Sequence, residues 1–217
     1  DVMFDEMSYR EMEFALKEVI KAEDNRVATI RELLLGTASC EPPKDLSSAS
    51  SSTAFLNDSQ EAALNKVLRS QDIAFVHGPP GTGKTTTLVQ AIQRTVGIEG
   101  QVLVCAASNA AVDWLAEKSH EAGLRVLRIG HPARVTEQTL SKTMDARIAG
   151  HPNYAELREL RKRMEQLRTM AYKFKRHFGY QEKQERRLLL QEVKQLKSDA
   201  DLLEFYIIND LLTTSEV

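Results

Sequence analysis

The chain has 217 residues, 42% of them hydrophobic, with 29 Lys and Arg against 31 Asp and Glu for a formal net charge of −2. That composition supports one full core or two small ones and excludes a largely disordered chain. No apolar run approaches the roughly 20 residues that a bilayer span needs, and no signal-like stretch stands at the amino end, so the expected setting is cytosol, nucleus or nucleoid.

The first 36 residues read as two short amphipathic helices. Met12, Leu16 and Val19/Ile20 form one apolar stripe; Val27, Ile30 and Leu33/Leu34 form another, ended by Gly36. Both stripes are expected to pack on the core. Residues 37–57 form a Ser-rich linker loop with too little apolar content to order itself. A helix follows, capped by Asp58 or Ser59, with Ala63, Leu64 and Val67/Leu68 on its buried face. The two cysteines, Cys40 and Cys105, lie outside any C-x-x-C pair and predict neither a metal site nor a disulfide framework.

Residues 73–76 are rich in β-formers, residues 85–96 carry helical apolar spacing, and HGPPGTGKTTT (77–87) joins them. Gly78, Gly83, Lys84 and Thr85 fit G-x-x-x-x-G-K-[ST], with Gly81 as an extra flexible point. Such a loop turns consecutive backbone N–H groups toward a phosphate chain, and the helix that starts there aims its positive dipole end at the same place. Lys84 then reaches the β- and γ-phosphates and the Thr85 hydroxyl ligates Mg²⁺. The competing explanation is a glycine-rich turn that matches by accident; the strand before and helix after argue against it. The expected nucleotide site is Gly78, Pro79, Pro80, Gly81, Thr82, Gly83, Lys84, Thr85 and Thr86, with ATP and Mg²⁺ as its cofactors.

Gly97 and Gly100 break the chain, QVLVCA (101–106) reads as a buried strand, residues 108–123 as a helix with Val112, Leu115 and the stem of Lys118 inward, and RVLRI (125–129) as a third strand. Strands alternating with helices at this pitch predict a parallel α/β sheet with ligands at the strands' carboxyl ends. Beyond it, Leu157, Leu160, Met164, Leu167, Ala171, Phe174 and Phe178 recur at steps of three and four, as do Leu189, Val193, Leu196, Ala200, Leu203 and Ile207. Two long helices folded back at Gly179 into an antiparallel coiled-coil hairpin are expected, with Leu160, Leu167, Val193 and Leu203 in the seam. Charge is uneven by segment: −7 over 1–65, +3 over 66–150, +7 over 151–198 and −5 over 199–217. The basic segment is either a phosphate-facing surface or a solvated helix pair.

Four stretches in order, LNDSQEAAL (56–64), HGPPGTGKTTT, CAASNAAVDWL (105–115) and RIGHPARV (128–135), resemble the glutamine motif, motif I, motif Ia and the following motif of the up-frameshift-like group of superfamily 1 helicases, within it the immunoglobulin mu-binding protein 2 type. The resemblance covers nearly the whole chain. It implies a RecA-like P-loop core over 58–150, the hairpin as an insertion over 151–212, the start of another strand over 213–217, and an ATP-driven 5′ to 3′ translocase on single-stranded DNA or RNA. It implies that Gln60 reads the adenine edge and that Ser108 and Asn109 hold nucleic-acid phosphate; His131 and Arg134 are weaker candidates for the same role, with pairing to an acidic neighbour as the alternative for Arg134. For Ser108 and Asn109 an ordinary helix cap is the competing role. Ala107 stands where the family has proline, which loosens the expected local backbone. The chain starts at Asp1 and holds no Walker B Asp-Glu, so it is expected to be a piece of a longer protein that binds nucleotide but hydrolyses it poorly. Two other classes stay open: a P-loop ATPase of another group, and a module that recruits a protein partner through the hairpin.

Overall fold

The computed structural model describes residues 6–44, 56–130, 137–173 and 179–217, in two compact units, 1–91 and 92–217.

The first unit holds α1 (Glu6–Lys21), α2 (Arg26–Leu35), α3 (Asp58–Arg69) and the start of α4 (Lys84–Glu99). The Arg31 guanidinium closes the end of α1, donating to the carbonyls of Val19, Ile20 and Ala22 at 2.7, 3.0 and 3.0 Å. The expected packing of α1 does not occur: Met12, Leu16 and Ile20 are 61%, 62% and 72% exposed. Periodicity makes the helix amphipathic, but burial requires a partner surface, and none among the described residues of this unit covers the stripe. Asn57, rather than Asp58 or Ser59, caps α3. Its side chain accepts from the Gln60 N–H while the Gln60 side chain accepts from the Asn57 N–H, both at 3.0 Å. This reciprocal box requires a Glu or Gln three residues past the cap, a spacing that Asn57 meets with Gln60. Leu64 anchors the helix in the core.

The second unit holds the rest of α4, α5 (Asn109–Glu121), the short α6 (Glu137–Leu140) and α7 (Met144–Ala149), and the long α8 (Tyr154–Ala171) and α9 (Tyr180–Thr214). Gly97 does not break α4, which runs on to Glu99; a single glycine costs a helix only about 1 kcal/mol, and packing of Ile92 and Val96 outweighs it. Ile92, Val96, Ala116, Leu124 and Val126 form one core, with Val102, Val104 and Val217 against it; Leu127, Leu157, Ala200, Ile207 and Leu211 form another. Neighbours Val126 and Leu127 thus enter opposite cores, the alternation of an extended segment covered on both faces.

The predicted parallel sheet is not formed as a ladder among the described residues, where the one isolated bridge joins Arg128 and Thr143 in parallel sense. Instead Val102 N–H donates to Glu216 O, Glu216 N–H to Arg125 O and Leu127 N–H to Val217 O, at 2.8, 2.8 and 2.7 Å. A ladder repeats its bonds over several residues, and among the described residues the bonds that join the two stretches run through Glu216 and Val217. The Arg125 N–H also donates to the Glu216 carboxylate, and with the Arg125 guanidinium holds that carboxyl below its ordinary range. Nor is residues 101–106 buried on both sides, since Leu103 is 84% exposed.

Helices α8 and α9 pack side by side and antiparallel, with Leu157, Ala171, Leu196, Ala200 and Ile207 buried and the expected seam residues Leu160, Leu167, Val193 and Leu203 half-buried. Arg161–Glu204 and Arg163–Glu192 bridge the two helices at 2.7 and 2.6 Å.

Candidate nucleotide and nucleic-acid site

The loop before α4 takes its shape from its glycines. Gly81 and Gly83 sit at φ 80° and 75°, a region L side chains rarely enter, and a Cβ on Gly83 would lie 2.5 Å from Gln60 Nε2. The N–H groups of Gly81 and Gly83 meet no acceptor among the described residues. Thr82 Oγ1 donates to Pro79 O at 2.9 Å, folding the loop on itself, while Pro79 and Pro80 are exposed. Lys84 is the first residue of α4, and its ammonium donates to Gly78 O and Pro79 O at 2.6 and 2.7 Å. Thr85 is half-buried with its hydroxyl in no hydrogen bond among the described residues, and Thr86 is exposed. The third threonine escaped sequence reasoning. Thr87 is 3% exposed and bonds Gly83 O through both its N–H (3.0 Å) and its hydroxyl (3.1 Å), tying loop to helix. Free N–H donors, an ammonium and a helix start therefore converge in one exposed loop, a set that binds anions.

Gln60 sits beside this loop but spends its amide internally. Its carbonyl accepts from Asn57 N–H, and its Nε2 donates to Thr82 O at 3.0 Å, so it ties α3 to the loop.

In the second unit Ser108 is the N-cap of α5, its hydroxyl accepting from Ala111 N–H at 3.2 Å, which is the capping role weighed against phosphate binding. Asn109 follows, with its Oδ1 accepting from the Arg128 guanidinium at 2.9 Å. The same guanidinium donates to Asp113 Oδ1 at 3.0 Å and to Ile129 O at 3.1 Å. Arg128 and Asp113 side chains are 1% and 5% exposed, an ion pair that the sequence reading missed. Arginine only donates, so the bonded atom of Asn109 is its carbonyl, and the NH₂ end of the planar amide is turned away from Arg128. Gly130, at φ 141°, belongs to the same arrangement, since a Cβ there would collide with the Arg128 guanidinium. The sequence did hold a signal: Arg128 stands two residues before Gly130, and Asn109 and Asp113 are one helical turn apart. His131 and Arg134 lie outside the described residues.

A family model described as an AAA domain matches residues 55–217. The chain is 32% identical over 212 residues to DNA-binding protein SMUBP-2 of Mesocricetus auratus, which covers 98% of this chain and 21% of that protein. It is 31% identical over 162 residues to DNA polymerase alpha-associated DNA helicase A of Schizosaccharomyces pombe, covering 75% and 24%. Against regulator of nonsense transcripts 1 of Caenorhabditis elegans it is 46% identical over 88 residues, covering 39% and 8%. The chain spans about a fifth to a quarter of the length of the first two relatives.

Proposed function

Since this chain belongs to the AAA domain family, and within it to the up-frameshift-like superfamily 1 helicases, we propose that it is the nucleotide-binding part of an ATP-driven enzyme that moves 5′ to 3′ along single-stranded DNA or RNA. The observation that carries this reading is the loop of residues 78–84, whose free N–H groups and lysine converge where an anion would sit. On binding, the Lys84 ammonium would exchange the carbonyls of Gly78 and Pro79 for β- and γ-phosphate oxygens. The Thr85 hydroxyl, free of other bonds, suits Mg²⁺, which when bound neutralises developing phosphate charge. Gln60 would pair with the adenine edge by releasing Thr82 O, which links base recognition to loop shape.

For the strand, Ser108 and Asn109 at the start of α5 would hold phosphate, with the outward NH₂ of Asn109 as donor and Arg134 as a further contact. The printed names of the relatives, DNA-binding, DNA helicase and nonsense transcripts, support nucleic acid of either sugar. This reading includes a RecA-like core over 58–150, preceded by helices in 1–36 and a linker over 37–57, with the hairpin of 151–212 as an insertion and the next strand beginning in 213–217. It places the protein in the cytoplasm, or in the nucleus of a eukaryote. Among the described residues no helix is long and apolar enough to cross a membrane. A protein partner on the hairpin is favoured by one observation, the exposed Leu202, Phe205 and Tyr206 of α9.

Titration of the chain with a fluorescent ADP analogue tests the core of this reading. Lys84→Ala removes a charge-assisted contact and should weaken binding roughly ten- to hundredfold. Equal affinity in both proteins would remove the phosphate loop from the argument.

A further inference from the structure

The three nitrogens of the Arg128 guanidinium serve different ends. Nε donates to Asp113 Oδ1 at 3.0 Å and Nη1 to Ile129 O at 3.1 Å, which fixes the group in place. Nη2 donates at 2.9 Å to Oδ1 of Asn109, an exposed residue. The Arg128 side chain is itself 1% exposed, so it meets no ligand in solvent and acts there only through Asn109. An unrestrained asparagine amide turns about its Cβ–Cγ bond between two broad wells, one with the NH₂ outward and the other with the carbonyl outward. Opposite a phosphate the first donates a hydrogen bond and the second repels. Arginine offers no acceptor, so the bond to Nη2 selects the first.

We propose that Arg128, held by Asp113, is a positioning residue that fixes the Asn109 amide with its NH₂ toward a strand phosphate. This role rests on the proposed function, which sets that phosphate at the start of α5. The Asp113 carboxylate balances the guanidinium charge inside the fold, so the pair orients a neutral donor without adding a cation to the strand site. A pair that served stability alone would be complete with Asp113 and Ile129; the bond to Asn109 extends its rigidity to a group at the surface.

Fluorescence anisotropy of a labelled oligothymidylate, titrated with the chain at several salt concentrations, tests this, with urea unfolding to report the fold. Asn109→Ala should weaken binding about three- to tenfold, the worth of one neutral hydrogen bond. Arg128→Met/Asp113→Leu, which leaves the net charge unchanged, should weaken it by the same factor at every salt concentration. Adding Asn109→Ala to that variant should cost nothing further, because the two changes remove one contact. Asn109→Asp keeps an acceptor for Arg128 but turns a carboxylate oxygen outward. Its unfolding midpoint should be no lower than that of the wild type, while strand binding falls about tenfold or more at low salt and less at high salt. If Asn109→Ala weakens binding equally in the wild-type and Met/Leu backgrounds, the positioning role is overturned and the proposed function stands. A salt slope shallower by about 0.7 in the Met/Leu variant would make the guanidinium a phosphate contact in its own right and overturn the role as well. Should the Met/Leu variant fail to fold, Asn109→Asp decides: lost binding at an undiminished midpoint upholds the role, and binding like that of the wild type overturns it. Unchanged binding by Asn109→Ala would take Asn109 out of the proposed strand site and Arg128 with it. A wild-type chain that binds no strand removes the strand from the proposed function and this role together.

Discussion

The phosphate loop and the start of α5 are both polar sites at the beginning of a helix, yet they are held together in opposite ways. In the loop the bonds are short in sequence: Lys84 to Gly78, Thr82 to Pro79, Thr87 to Gly83. Its functional groups are exposed and rest on partners they can leave. At α5 the bonds span 15 and 19 residues and converge on a buried guanidinium. Those groups cannot leave without stranding a charge. A site that must take up and release a ligand keeps its ammonium on weak, solvent-accessible carbonyls, whereas a site that must hold two segments in place buries its charges against one another.

The sharpest test of this contrast is to remove the cation from each. Arg128→Ala removes the guanidinium from a buried ion pair with Asp113 and should cost about 3–5 kcal/mol in urea unfolding. Lys84→Ala should cost less than about 0.5 kcal/mol, as for other surface changes. Similar losses in both would show that the two sites are built alike. Replacing the pair together, Arg128→Met with Asp113→Leu, should restore most of the stability, because the cost lies in the stranded charge.

Packing gives the next largest effect. Leu157→Ala, at a fully buried position, should cost roughly 2–5 kcal/mol, and Leu167→Ala, only half-buried, distinctly less. Hydrogen exchange along α8 reads the difference, and equal protection loss would mean that the hairpin is uniformly packed.

Glycine exchanges separate shape from stability. Gly130→Ala meets the Arg128 guanidinium at a backbone angle unsuited to a side chain and should cost on the order of 1–3 kcal/mol. Gly83→Ala, also at a positive φ, should cost about 1–2 kcal/mol in backbone strain and, by pushing against Gln60, should in addition lose affinity for the ADP analogue.

A smaller effect distinguishes cap from ligand at Ser108. Ser108→Ala should cost about 0.5–2 kcal/mol and Ser108→Gly only a few tenths. If strand binding falls equally in both, the hydroxyl contacts phosphate; if binding tracks stability, Ser108 is a cap alone.

The smallest expected effect is pH-dependent and local. Because the folded-state pKa of Glu216 is lowered by Arg125, its contribution is present above the ordinary carboxylate value and is lost as pH falls through the folded one. Exchange protection of the Leu127 and Glu216 N–H groups, corrected for intrinsic rate, should therefore decline only in acid, and Glu216→Gln should abolish that decline.

The glycines, lysine and threonines of 78–87 set most of their loop through φ preference and hydrogen bonds of six residues or fewer, and Gln60 adds one tie from 22 residues away. The helices of 84–99, 109–121, 154–171 and 180–214 were legible for a similar reason: a 3.6-residue apolar period is a local property. What periodicity left undetermined is whether a stripe finds a partner. The α1 stripe does not within its unit, while Leu157 and Ile207 do. Asp113 looked like an exposed charge on the polar side of α5, and Arg128 like one more basic residue of an alternating strand. Only folding brings them to 3.0 Å, turns the carbonyl of Asn109 inward and makes Gly130 obligatory, because burial of a guanidinium depends on acceptors supplied by a distant segment, and sequence spacing carries no record of that distance.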